Sequence, residues 1–138
     1  MKKILLDINI LIDLFSRRED HESAAKIFDL CITDKVQGYL CSHEITTLSY
    51  FMERDKYLKT KRHYILTTLL DSFSILPATE KILKEAMNSP IDDFEDAVIE
   101  VPARLESLDG IVTRNQKDFK KGEILCYTAS EVLAVLKR

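Results

Sequence analysis

Glycine is scarce in this 138-residue chain. Gly38, Gly110 and Gly122 are its only three, so neither a GxGxxG turn nor a Walker loop can be written, and nucleotide-fold enzymes built on such loops are excluded. Cysteine is equally sparse. Cys31, Cys41 and Cys126 are odd in number, widely spaced and set among apolar residues. They suggest neither a disulfide framework nor a zinc knuckle, and read as reduced, buried thiols. Only three prolines occur and no low-complexity run, which excludes a linker or disordered tail. No stretch approaches the roughly 18 uninterrupted apolar residues of a membrane span. The opening "MKKILLDINILIDLF" begins like a signal peptide, but Asp7, Asn9 and Asp13 interrupt it and no small-residue cleavage site follows. A cytoplasmic protein is expected. Net charge is −3, so no overall positive coat for nucleic acid exists. Local basic runs remain at "KYLKTKRH" (56–63) and "RNQKDFKK" (114–121).

What is present is an alternation. "KKILLD" reads as a buried strand ending near Asp7, with a helix to follow. "DHESAAKIFDLCITDK" has helical spacing after an acidic start, and "VQGYLC" returns to strand composition. "SHEITTLSYFMERDKY" predicts a helix capped by Ser42, and "TKRHYILTTLLDSF" another, with Tyr64, Ile65, Leu69 and Leu70 as its buried stripe. "FSILPAT" reads as a strand and "TEKILKEAMNS" as a helix capped by Thr79. An acidic helix is predicted from about Ile91, followed by strands at "DGIVTRN" and "GEILCYT". A final helix is predicted over "TASEVLAVLKR", with Thr128 or Ser130 near its cap. Strands alternating with helices imply one α/β domain over 1–138, an open parallel sheet of four to five strands covered on both faces. Ligands of such sheets lie beyond the carboxyl ends of the strands. That rule selects Asp7, Ser42, Thr113, Arg114 and Asn115 for attention.

The chemistry at those positions is carboxylate chemistry. His21 and His63 lie in charged helices, and Cys41 with His43 is a weak thiol pair across a strand end. Asp7 ends a buried strand, where an ionised acid is costly unless hydrogen-bonded, paired or bound to a cation. In "DDFEDAVIE", one acid suffices to cap a helix, yet four fall within five positions, Asp92, Asp93, Glu95 and Asp96. Asp93 and Asp96, three apart, are expected on one face, while Asp92 and Glu95 read as capping or surface acids. With Asp7 the pair makes an oxygen-rich site suited to Mg²⁺ or Mn²⁺. Such an ion supports in-line hydrolysis of a phosphodiester, with 5′-phosphate and 3′-hydroxyl products when water attacks. On composition and spacing alone, a plain acidic surface is an equal reading.

Three motifs in order resemble the PIN domain family. "LLDINILIDLF" is similar to its opening strand-to-helix motif, with Asp7 as first metal ligand, Asn9 supporting the turn and Asp13 on the helix. "DFEDAVIEVPA" resembles its acidic helix, with Asp96 at the principal position and Asp93 one turn earlier. "GIVTRNQKDF" resembles its late strand motif, with Thr113 and Asn115 beside the site and Asp118 as the last carboxylate. The resemblance implies a three-layer, Rossmann-like α/β/α sandwich and a Mg²⁺- or Mn²⁺-dependent ribonuclease. In the VapC-type toxins of this length it further implies a homodimer held inactive by a small antitoxin. The catalytic set would be Asp7, Asp93, Asp96 and Asp118, supported by Asn9, Ser42, Thr113 and Asn115. Arg114, Lys117 and Lys121 would contact RNA, single-stranded or structured. One departure stands out: the second acid expected five or six residues after Ser42 falls on Thr47 or Leu48. Glu44, a turn earlier, either joins the cluster or faces solvent. A nuclease-inactive binding module is therefore the alternative. Pro102, inside the acidic helix, is expected to kink or break it.

Overall fold

Ile4, Leu5 and Leu6 are completely buried, although successive strand residues point to opposite faces. A strand apolar on both faces belongs in the middle of a covered parallel sheet. The computed structural model, which describes residues 1–18 and 20–136, places it there. β1 (Lys3–Leu6) leads into α1 (Ile8–Phe15) and α2 (His21–Ile32), then β2 (Gln37–Cys41), α3 (Ser42–Arg54) and α4 (Lys59–Ser72). β3 (Ser74–Leu76), α5 (Glu80–Met87), α6 (Phe94–Leu105) and β4 (Gly110–Val112) follow. A 3₁₀ turn (Gln116–Phe119), β5 (Cys126–Tyr127) and α7 (Ala129–Leu136) complete the described chain. Lys137 and Arg138, the end of the predicted last helix, lie outside the described residues.

The five strands are all parallel, in the order β3-β2-β1-β4-β5. The chain winds outward from β1 to β3 and then returns to β1's other side as β4. The switch point therefore falls between β1 and β4. Side-chain alternation sorts the core into two layers. Ile4, Leu6, Leu40 and Val112 pack with α1, α2, α3, α4 and α7, while Leu5, Tyr39, Cys41 and Ile111 pack with α5 and α6. This is the expected α/β/α sandwich.

Several local expectations are corrected. The acidic helix starts at Phe94, three residues later than predicted, because Asp93 caps it: Asp93 Oδ1 accepts from the Asp96 N–H at 3.1 Å. Cys41, not Ser42, occupies the cap position of α3, and Ser42 Oγ instead accepts from the Ala78 N–H across to the β3–α5 connection. Tyr64 and Leu70 are 73% and 54% exposed, since α4 lies on the outside of its layer and buries only the Ile65/Leu69 stripe. α6 continues through Pro102 to Leu105. Proline there falls in the last turn, where the bond it forgoes is one of few remaining. Thr79 caps α5 as expected, its Oγ1 accepting from Ile82 N–H at 3.2 Å. The three cysteines are free.

Candidate functional site

The switch point is laced together by side chains. Asp7 follows β1 directly and caps α1, Oδ1 accepting from the Ile8 N–H at 2.8 Å. Its Oδ2 accepts from Thr113 Oγ at 2.8 Å and from Asn9 Nδ2 at 3.0 Å. Thr113 leaves β4, so these bonds join the carboxyl ends of β1 and β4. Asn9 Oδ1 accepts from the Arg114 N–H at 3.1 Å, and Thr113 Oγ accepts from the Asn115 N–H at 3.0 Å. One layer deeper, Arg114 Nη1 lies 2.6 Å from the buried Asp13 carboxylate. Asn9, Thr113 and Asn115 thus stand beside Asp7. Arg114 is anchored by its backbone and one guanidinium nitrogen.

Glu44, in the first turn of α3, is only 1% exposed. Its Oε1 accepts from the Cys41 N–H at 2.7 Å, and its buried Oε2 has no partner among the described residues. Burial, then repulsion from Asp7 and Glu95, raises its pKa well above the usual carboxylate range, against the Cys41 hydrogen bond. Burial likewise raises the pKa of Asp7, with Glu95 and Asp118 adding to it and the bonds from Thr113 and Ile8 opposing. Asp96, half-buried, is pushed up to about 7 by burial, then by Asp93, Asp7, Asp118 and Glu95. Six carboxylates therefore share one electrostatic neighbourhood: Asp7, Glu44, Asp93, Glu95, Asp96 and Asp118. Repulsion of that kind is relieved by protons or by a cation.

The donor set fits a hard divalent ion. It is all oxygen, as Mg²⁺ and Mn²⁺ prefer, and Glu44 Oε2 is a buried lone-pair donor without a partner among the described residues. As placed, no three His, Cys, Asp or Glu side chains among the described residues form a ready cage. Asp7 and Glu44 are fixed by their hydrogen bonds, whereas half-buried Asp96 and exposed Asp118 have room to rotate.

The acids of "DDFEDAVIE" have different parts, and Asp93 is the nearest acidic influence on Asp96. Asp93 is exposed and commits one oxygen to capping α6, while Glu95, expected as a bland surface acid, acts on Asp7, Glu44 and His43. Asp92 stays outside, its two oxygens 3.1 and 3.2 Å from Lys121 Nζ. Lys121 is thereby engaged in an exposed pair, and Lys117 is exposed on the 3₁₀ turn. Glu44 and His43 are what sequence reasoning undervalued. The signal for Glu44 was available: like Asp7, it follows a buried strand within one helical turn. His43 has both ring nitrogens buried without partners among the described residues, and burial lowers its pKa, against the pull of Glu95. No bond joins it to Cys41, whose thiol pKa burial drives far upward.

The chain was compared with known proteins. No curated protein matches it at a significant level. Solved structures share its fold, among them the following three. FitAB bound to an IR36 DNA fragment superposes with a TM-score of 0.73 at 20% identity, covering 91% of this chain and 94% of that one. VapBC2 from Rickettsia felis, bound to a DNA fragment from its promoter, gives 0.66 at 20% identity, over 91% and 98%. A toxin-antitoxin complex from Klebsiella pneumoniae gives 0.62 at 25% identity, over 84% and 89%. The family model described as PIN domain matches residues 3–117, a span that holds Asp7, Glu44, Asp96 and Thr113. By that match and the parallel sheet that carries these residues, the chain belongs to the PIN domain family.

Proposed function

We propose that this protein is a Mg²⁺- or Mn²⁺-dependent endoribonuclease acting as the toxin of a toxin–antitoxin pair. The observation that carries the reading is Glu44 Oε2, without a partner among the described residues and in the field of Asp7, which in turn acts on Asp96. Asp7, Glu44 and Asp96 hold the ion, with Asp118 as the fourth carboxylate and Asp93 behind Asp96. A bound divalent ion supplies Lewis-acid polarisation of a phosphodiester and a more acidic water. The protein's own part is positional. Thr113 and Asn9 fix the rotamer of Asp7, and the Cys41 N–H fixes Glu44, so two donors are preorganised beyond the carboxyl ends of the neighbouring strands β1 and β2. Attack by water in line with the leaving oxygen leaves 5′-phosphate and 3′-hydroxyl ends. Lys117, with the free nitrogens of Arg114, flanks the cluster on the β4 side and attracts the RNA backbone. Lys121 joins them once RNA phosphate displaces Asp92, because an exposed ion pair is worth little.

The toxin role draws on the likeness to the Klebsiella pneumoniae toxin-antitoxin complex. Leu58, Tyr64 and Leu70, exposed on and before α4, supply apolar surface for a small antitoxin and for a second copy of the chain in a homodimer. Among the described residues no helix is long and apolar enough to cross a membrane. The alternative, a nuclease-inactive binding module, rests on the displaced second acid; the repulsion between Glu44 and Asp7 supports the nuclease reading over it. Asp7→Asn and Asp96→Asn are each expected to abolish Mn²⁺-dependent cleavage of single-stranded RNA. Full activity in either variant, or wild-type protein that binds RNA tightly without cutting it, overturns the proposal.

A further inference from the structure

Asp13 is a buried acid that the carboxylate cluster does not use. It is 1% exposed on α1, beside the buried Ile10 and Leu11 in an otherwise mostly apolar helix. Its Oδ1 meets Arg114 Nη1 at 2.6 Å. A leucine at that position would bury without desolvating a charge, and a buried ion pair adds little stability over such a side chain. The pair therefore calls for a reason other than folding. Arg114 is not buried with it: its side chain is 39% exposed, and among the described residues its Nε and Nη2 make no hydrogen bond. The geometry also gives the side chain a direction. The Arg114 N–H donates to Asn9 Oδ1 at 3.1 Å, and Asn9 and Asp13 stand four residues apart on one face of α1. Arg114 therefore runs along α1 away from Asp7, which precedes the helix, and its guanidinium ends about 6 Å beyond Asn9, at about 1.5 Å of rise per residue.

That offset decides what the guanidinium can touch. With the scissile phosphodiester at Asp7, Glu44 and Asp96, a cation one helical turn along α1 faces the next phosphate of the strand. A planar guanidinium with donors to spare suits a phosphate. We propose that Asp13 is a positioning residue: it holds Arg114 as a fixed contact for the phosphate that flanks the scissile one. The inference rests on the ribonuclease reading and deepens it. An arginine has much rotamer freedom to lose, and one already fixed loses less when the strand arrives. Asp13 also keeps Arg114 out of the carboxylate cluster. A guanidinium drawn in among those acids would take the place of a metal ion, but it would leave Asp13 buried and unanswered.

The test uses the full chain with a short fluorescein-labelled single-stranded RNA, in Ca²⁺ to hold the complex without turnover, over a range of salt. Asp13→Asn keeps the Arg114 charge and removes a negative one, so charge alone would tighten binding. Loss of positioning should instead weaken it about ten-fold and reduce the slope of log affinity against log salt by about 0.7, one phosphate contact. Arg114→Lys still answers the Asp13 charge, so it keeps the fold even if Asp13→Asn does not, and it should lose as much. A neutral methylphosphonate scanned along the RNA should weaken wild-type binding about ten-fold at one linkage, next to the cut, and cost nothing there in either variant. With Mn²⁺, both variants should lose more in KM than in kcat. Wild-type affinity and salt slope in the variants, together with an even methylphosphonate scan, overturn the positioning role and leave Asp13 and Arg114 a structural pair, while the ribonuclease reading stands. Absence of cleavage by the wild-type chain overturns the ribonuclease reading instead, and the salt series and scan in Ca²⁺ still decide the role of Asp13.

Discussion

Glu44 and Glu100 are buried almost equally, 1% and 2% exposed, and both belong to helices beside the sheet. Their oxygens end differently. Glu100 Oε2 accepts from the Glu123 and Ile124 N–H groups at 3.1 and 3.3 Å, and Oε1 faces Arg104 Nε at 3.5 Å. Glu44 has one backbone donor on Oε1, an unmet Oε2 and acids for neighbours. A buried carboxylate is tolerable only when its charge and lone pairs are answered. Glu100 is answered from within and works as a strut that holds the Gly122–Ile124 segment against α6. Glu44 is answered halfway, and the rest must come from outside the chain.

That contrast breaks most visibly in activity. Glu44→Gln should lower Mn²⁺-dependent RNA cleavage about a thousand-fold, roughly 4 kcal/mol on the barrier. Its metal-free melting temperature should be unchanged or raised, since the substitution removes repulsion with Asp7. Near-normal cleavage by Glu44→Gln would place both glutamates in the structural class. Next is metal binding followed by calorimetry. Mn²⁺ at a hundred times its Kd should add about 2.7 kcal/mol to the wild type and to Glu100→Gln, and far less to Glu44→Gln. Urea unfolding then inverts the order: Glu100→Gln should lose about 2 kcal/mol of stability through broken bonds to buried N–H groups, with cleavage per folded molecule intact. Gly122→Ala probes the same strut by pressure, its added Cβ falling 2.8 Å from Glu100 Cγ. About 1 kcal/mol of destabilisation is expected.

The smallest effect is in pH. Asp7, Glu44 and Asp96 all titrate above their unfolded values, Asp96 at about 7. Between about pH 4, where unfolded carboxylates titrate, and about pH 7, the folded metal-free chain holds more protons than the unfolded one. Its stability should therefore fall as pH rises through that window. The fall should be shallower in Glu44→Gln and absent in saturating Mn²⁺, as melting curves across pH would show. A flat metal-free profile would mean that the acids do not share one field.

Much of this was legible in residue order, and the reasons for the rest are physical. Strands buried on both faces announce themselves as unbroken apolar runs, so Asp7 and Thr113 could be placed at the ends of β1 and β4. Asp96 followed from the acidic helix. Glu44 was harder because an acid in the first turn of a helix has a sufficient local explanation in the backbone N–H it accepts. Only the three-dimensional approach of β1 to β2 shows that its other oxygen is stranded. The start of the acidic helix lies three residues later than the apolar pattern suggests, because Asp93 is its cap, one oxygen bonded to the Asp96 N–H. Arg114 looked like a free cation because its partner, Asp13, lies 101 residues away.

The bonds from Thr113 and Asn9 to Asp7 have a consequence in time as well as space. The threonine that holds the rotamer of Asp7 is 106 positions later in the chain, and β4 docks beside β1 only after β2 and β3 have been made on its other side. A growing chain that has not reached β4 carries Asp7 without its clamp and lacks Asp118 altogether. The sheet order thus works as an assembly interlock: the acidic centre closes only once β4 and the turn after it have been made.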